Sequence, residues 1–350
     1  MLFALNIQAY ANNQHKIADE MLTNPFLKAM SICEGTISIL DAECVVYSRI
    51  WSFFEIFKSV MGGNSDYEFD VYTEIDGDRA VGITHGLIPS DGHPDALIST
   101  YMKKQRESEF PLDRILQATN VDVKQAQAPK ESDRKFILNS ITGRSVDDAV
   151  VDDHDKYDKL NSILRGIFVA PGLERIIKEK DVDTITRCLE IVKASNVRMI
   201  YLELNDCSRF DDDVLMKLAD SLPPTLSEFS LWSIGSAVTV NGINECLRKI
   251  LGCPKLVRLF LSRNNIDDVG AKLIADALKN NHSLNTLNLI GNNIGDVGAM
   301  AIADALKVNR NLTTLNLLAN NNITARGKEY LSIMKREFTF ANHDIDIVWS

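Results

Sequence analysis

Hydrophobic side chains in the C-terminal part of the chain fall in regularly spaced blocks. KLVRLFLSRNNIDDVGAKLIADALKNNH from Lys255, SLNTLNLIGNNIGDVGAMAIADALKVNR from Ser283 and NLTTLNLLANNNITARGKEYLSIM from Asn311 align without a gap at their starts, 28 residues apart. Each opens on LxxLxL followed by an asparagine: Leu256, Leu259, Leu261 and Asn264; Leu284, Leu287, Leu289 and Asn292; Leu312, Leu315, Leu317 and Asn320. Leucines at period two turn one face of a short strand to a core, and the asparagine is placed to bond backbone groups where the chain leaves its neighbour. Further along, Ala271, Ile274, Ala275 and Leu278, then Ala299, Ile302, Ala303 and Leu306, recur at i, i+3, i+4, i+7, the buried stripe of a helix. Gly270 and Gly298 are expected to let that helix begin close to the strand layer.

Two weaker copies precede these blocks. Val197, Ile200, Leu202 and Asn205 fit the template, as do Leu226, Phe229 and Leu231, with Ile234 in the asparagine position. Upstream, DVDTITRCLEIVKAS from Asp181 sets Ile185, Leu189 and Val192 on one helical face suited to covering the first repeat. In the last block Lys328, Ser332 and Lys335 replace apolar helix positions, as a terminal cap would. Self-similarity at this period marks a repeat array. The pattern resembles the leucine-rich repeat, at the length of its ribonuclease-inhibitor-like subclass. That resemblance implies an α/β solenoid over residues 197–340. Residues 146–196 then serve as an acidic linker and helical connector or N-terminal cap, and 341–350 as a tail.

On this alignment the outward strand positions form two columns. Tyr201, Ser230, Phe260, Asn288 and Asn316 make one; Glu203, Trp232, Ser262, Ile290 and Leu318 make the other. An outward strip holding Tyr201, Trp232, Phe260, Ile290 and Leu318, with Glu203 at its edge, is more apolar than a solvated sheet face needs, and aromatic anchors of this kind dominate interfaces. It is the expected partner-binding face. Asn205, Asn264, Asn292 and Asn320 are the expected structural asparagines.

The N-terminal part has a different texture. TISILD reads as a compact strand, VVYSRIWSFFEIFKSVM as a helix, and YEFDVYT and AVGITHG as further strands, an alternation that predicts a parallel sheet with covering helices. In such a sheet ligand groups gather at the carboxyl ends of the strands, here Asn12, Asn13, Gln14, His15, Asp41 and His85. TISILDAECVVYSRIWSFFEIF is similar to the strand, turn and WCxxE helix of TIR (Toll/interleukin-receptor) domains, with Ser52 in place of the cysteine. YANNQH with SRIWSFFEIF, and FPLDRILQATNVDVKQAQAPKESDRKFILNSI, resemble divergent TIR-like modules of algal and other protist proteins. The likeness covers residues 1–145 and begins at what corresponds to a middle strand, so it implies an incomplete flavodoxin-like sheet. It also implies a role for Glu55, the carboxylate that lines the nucleotide pocket in NAD-cleaving members, with Trp51 one helical turn away. Self-association through the module is a further implication.

Composition narrows the partners. The 350 residues carry 48 acidic and 38 basic side chains, a formal net charge of -10, which argues against nucleic acid. Six cysteines at 33, 44, 188, 207, 246 and 253 show no CxxC pair, so reduced, packed thiols and no metal site are expected. His15, His85 and His93 are dispersed, and His154 lies in the acidic run DDAVVDDHDKYD. Arg49 and Arg134 read as surface ion-pair residues. No P-loop, GxGxxG or GxSxG is present. No apolar run approaches the roughly 20 residues of a membrane span, and the start lacks a basic n-region and cleavage site, so a cytoplasmic protein away from membranes is expected. The sequence therefore predicts an interaction protein that binds a protein partner on its repeats, in signalling, without a cofactor. The alternative is a TIR-like hydrolase with Glu55 as catalytic carboxylate and NAD as substrate.

Overall fold

The computed structural model describes residues 3–5, 32–62, 67–77, 79–84, 86–93, 96–195, 201–207, 210–235, 237–341 and 345–349. Asn12, Asn13, Gln14, His15, His85, Val197 and Ile200 lie outside the described residues, as does the side chain of Tyr201. The chain divides into two compact units, Met1–Leu173 and Glu174–Ser350. No described helix is long and apolar enough to cross a membrane.

The first unit holds a four-stranded sheet in the order β1 (Phe3–Leu5), β2 (Gly35–Leu40), β3 (Glu68–Ile75) and β4 (Arg79–Ile83). β1, β2 and β3 run parallel. Helix α1 (Ile50–Met61) follows β2 and covers the face carrying Thr36 and Ser38; its Ser59 hydroxyl donates to Thr36 Oγ1 at 3.0 Å. β4 is antiparallel to β3, which corrects the expectation of an all-parallel sheet. Asp76 and Gly77 both take positive φ, 55° and 81°, in the short turn after Ile75. So short a loop closes a hairpin, whereas a parallel pair needs a crossover of a dozen or more residues.

Helix α2 (Ala96–Glu107) blunts the outer edge of β4 with charged side chains. Arg106 Nη1 donates to the Gly82 carbonyl at 2.9 Å, and Glu107 Oε1 accepts from the Thr84 amide at 2.8 Å. Helices α3 (Leu112–Ala118), α4 (Glu131–Thr142) and α5 (Asp155–Glu179) supply the rest of the core. Phe54 of α1 meets Phe136 of α4 with ring centroids 6.0 Å apart, while Phe168 of α5 meets Tyr47 and Phe110 at 5.7 and 6.2 Å.

In the second unit helix α6 (Val182–Ser195) buries Ile185, Leu189 and Val192. A six-stranded parallel sheet follows, in chain order from β5 (Tyr201–Asn205) through β6 (Glu228–Trp232), β7 (Arg258–Phe260), β8 (Thr286–Asn288) and β9 (Thr314–Asn316) to β10 (Asp346–Val348). Between successive strands lie α7 (Asp212–Ser221), α8 (Val240–Ile250), α9 (Asp268–Leu278), α10 (Asp296–Ala305) and α11 (Ala325–Phe340). Asp206, Ser233, Arg263, Gly291 and Ala319 all take positive φ at the same place after their strands, a backbone marker of the repeat that does not depend on side chains.

This register corrects the first repeat. Leu202 and Leu204 pair with Phe229 and Leu231, so the strand sits two residues later than the template placed it. The asparagine position falls on buried Cys207, not Asn205, which donates to Glu203 at 2.7 Å instead. Ile200, Leu202 and Leu204 alternate, and a slip of two keeps the same face inward, so only the partner strand fixes the register. The segment read as a tail also changes status: 346–348 form β10, paired with β9.

Two hydrogen-bond ladders hold the repeats. Asn292 accepts from the amides of Asn264 and Ile266 at 2.9 and 3.0 Å and donates to the carbonyls of Leu261 and Leu289 at 2.8 and 3.0 Å. Asn320 repeats this on Ile294, Leu289 and Leu317, and Asn264 on Ile234 and Leu231. On the helix side, Asp268 accepts from the amides of Gly295 and Gly298, both at 2.8 Å, at the start of the next helix. Asp212 and Asp296 do the same for Thr239 and Thr324.

The reason for Gly298 is therefore specific. A Cβ there would lie 2.6 Å from Asp268 Oδ1 and 2.7 Å from the Ala271 Cβ. Gly298→Ala is expected to destabilise the second unit by about 1–3 kcal/mol through overpacking and a weakened cap. Urea unfolding followed by circular dichroism measures it, and a change below about 0.5 kcal/mol would show that the carboxylate moves aside freely.

Candidate protein-binding face

The buried apolar side chains of β5–β10 are leucines, with Phe229 in β6 and Ile347 in β10, and they point into the core, so the alternate residues line the open face. The pairings give three rows across it: Glu228, Arg258, Thr286, Thr314 and Asp346; Glu203, Ser230, Phe260, Asn288, Asn316 and Val348; and Asn205 beside Trp232, from which the row continues to Ser262, Ile290 and Leu318. Glu203 thus neighbours Ser230 and not Trp232, and Tyr201 neighbours Glu228, a shift of the first strand against the columns read from the sequence.

Trp232 is 39% exposed at the end of β6. The Arg263 guanidinium lies 5.8 Å from its ring centroid, a cation–π contact that orients the indole. Phe260, Ile290 and Leu318 are half-buried. Polar groups between them are already engaged: Asn288 Oδ1 accepts from the Ser262 hydroxyl at 3.2 Å and the Ile290 amide at 3.0 Å, and Asn316 Oδ1 from the Leu318 amide at 3.0 Å. Glu228 and Arg258 form an ion pair at 2.6 Å. The face therefore offers aromatic and aliphatic surface between amides held in place, with its charges largely paired.

In the first unit, Glu55 is buried on α1 at 9% exposed. Trp51 packs edge-on against Phe54, with centroids 6.1 Å apart, and its indole Nε1 is buried without a hydrogen-bond partner. A groove lined by Ile37, Ile39, Tyr72, Glu74, Arg79 and Ala80 lies on the sheet face opposite α1, and neither Glu55 nor Trp51 borders it. Asp41 is committed locally, its carboxylate accepting from the Val45 amide at 2.8 Å. Arg134 donates to the Lys124 carbonyl at 2.7 Å and lies 3.6 Å from Glu131, while Nδ1 of His154 accepts from the Lys156 amide. No group of metal-ligating side chains occurs among the described residues. Burial pushes the thiols of Cys207 and Cys246 up to about 12 and those of Cys44 and Cys188 up to about 11, so all four stay protonated near neutral pH.

The family model described as "Leucine Rich repeat" matches residues 252–275 and 280–303. These two segments, which contain β7 and β8 and most of the helices after them, are leucine-rich repeats. No curated protein matches the chain. Among solved structures, "Leiomodin-1 Actin-Binding Site 2 (ABS2)" is similar over 49% of this chain and 80% of that chain, at 20% identity and a TM-score of 0.32.

Proposed function

We propose that the chain is an interaction protein that takes a protein partner on the open face of β5–β10, with Trp232 and Phe260 as anchors and Ile290 and Leu318 extending the contact. The observation that carries this reading is the exposed, Arg263-oriented indole of Trp232 on the same face as the half-buried side chains of Phe260, Ile290 and Leu318. Rigid aromatic side chains of this kind supply most of the energy of a protein interface at little entropic cost. The 28-residue spacing, with one strand and one helix per unit, supports a solenoid of the ribonuclease-inhibitor-like class, whose inner face is its usual contact surface.

The test is a paired substitution. Trp232→Ala with Phe260→Ala is expected to remove bound protein recovered from lysate and to leave the thermal transition nearly in place, because both side chains point away from the repeat core. Lys272→Glu, exposed on α9, is expected to bind normally. Equal loss from the α9 change would move the site to the helical side and sink the proposal.

A further inference from the structure

Helix α11 carries a stripe that the rest of the second unit leaves open. Arg326, Glu329, Ile333, Arg336, Glu337 and Phe340 are all exposed along it, Ile333 at 44% and Phe340 at 89%. The helix buries Gly327, Leu331, Met334 and Phe338 on other sides. The counterpart of Ile333 one repeat earlier is Asp304 of α10, whose carboxylate receives the Tyr330 hydroxyl of α11 at 2.5 Å. Ile333 therefore stands on the side of its helix through which α10 meets the next helix in the row, and at that place the acid has become apolar. Among the described residues Glu329, Arg336 and Glu337 form no ion pair.

We propose that this stripe joins two copies of the chain across a two-fold axis, with their α11 helices antiparallel. The charge pattern selects that partner. With about 100° of rotation per residue, Glu329 and Arg336 lie on one flank of Ile333, and Arg326 and Glu337 on the other. A two-fold through Ile333 reverses the helix and brings like flanks together. Glu329 of one copy then lies beside Arg336 of the second, offset along the axis by about 1.5 Å, and Glu337 beside Arg326. Every charge meets its opposite, each pairing occurs twice as an isologous interface requires, and Phe340 lies along the Arg326 stem of the second copy. In a parallel pairing, about a two-fold along the helices, unlike flanks meet instead and Arg336 lies beside Glu337 of the second copy. The opposed helix dipoles favour the antiparallel arrangement, and swapping Glu329 with Arg336 separates the two, since in the parallel one it would set like charges together.

Sedimentation velocity on the full chain across micromolar concentrations reads the outcome. The wild type is expected to dimerise, more weakly in high salt because the flanking pairs are exposed. Phe340→Asp or Ile333→Asp is expected to give monomer with unchanged circular dichroism. Glu329→Arg and Arg336→Glu, each alone, are expected to weaken the dimer at least about tenfold by opposing like charges, and the two together to restore it, since the swap re-forms both pairs. A wild type that stays monomeric, including one whose stripe is taken by a different protein, overturns the proposal. So does a dimer indifferent to Phe340→Asp, or a double charge swap that does not recover association.

Discussion

Asn292→Leu is expected to unlock the middle of the repeat array, raising the exchange rate of the amides in β7, β8 and β9 by at least about 100-fold, the equivalent of about 3 kcal/mol. The side chain fits by volume but answers none of four backbone groups. The amides of Asn264 and Ile266 lose their acceptor and the carbonyl of Leu261 loses its donor, while the Leu289 carbonyl keeps Asn320; all lie around a side chain only 4% exposed. A buried group left unpaired costs about 1–3 kcal/mol, and burial of the added leucine methyls returns only part of that. Asn205→Leu serves as the contrast, since that asparagine bonds a neighbouring side chain at the open face and leaves no buried amide behind. Exchange rates within threefold of wild type for Asn292→Leu would mean that the ladder does not hold the repeats together.

The second large effect is expected in the first unit from Asp91→Ala. Asp91 is 1% exposed and receives a fork from Arg106, Nε at 3.1 Å and Nη2 at 2.8 Å, together with the Ile88 amide at 3.0 Å. Arg106 in turn ties down Gly82 and Thr84, and Lys103 pairs with Glu107 beside it. Removing one member of a buried pair costs about 3–5 kcal/mol because the other charge remains. The lower end is expected here, since Arg106 is partly exposed and can turn toward water. Arg106→Met in the Asp91→Ala background is expected to cost less than the sum of the single changes. Burial alone would raise the Asp91 carboxyl, yet the Arg106 fork and the Ile88 amide hold it below the usual carboxylate range. Its contribution is therefore complete above about pH 4, the unfolded value, and is lost as pH falls through the lower folded value. Acid titration monitored by exchange at residues 82–92 checks both magnitude and sign: protection that is equal in wild type and Asp91→Ala near neutral pH would remove the pair from the account.

The regular repeats were readable because each consensus side chain does the same job in every copy: leucines fill one core layer and asparagines close the same backbone loop. Where the chemistry loosens, so does the reading. Cys207 and Ile234 occupy the asparagine position without its bonds, and the template sets the first strand two residues before its paired position. β10 and the residue before it offer only two buried apolar side chains, Ile347 and Ile345, too short a pattern to separate from a tail. In the first unit the strands and α1 follow from alternation. The reversal of β4 depends on two turn residues, Asp76 and Gly77, and the Asp91–Arg106 fork joins residues on separate elements that no local pattern connects. Glu55 stood out as a carboxylate in an apolar run, but the run alone did not tell that its helix lies across the sheet from the open groove.

The two ladders of the repeats point in opposite directions along the chain. Each aspartate serves the helix of its successor, whereas each asparagine serves the strand of its predecessor. Excising residues 283–310 would leave Asp268 facing Thr324 and Gly327, which already accept the same service from Asp296, and Asn320 facing the carbonyl of Leu261, which already receives Asn292. The joints on either side of a regular unit are interchangeable, so copy number in this stretch can change by whole units without any new bond having to be invented. The same does not hold at the joint from α8 to α9, where Val240 stands in the aspartate position and α9 is capped by its own Asp267. Exchange of whole units is thereby easier among the C-terminal repeats than across the α8–α9 joint.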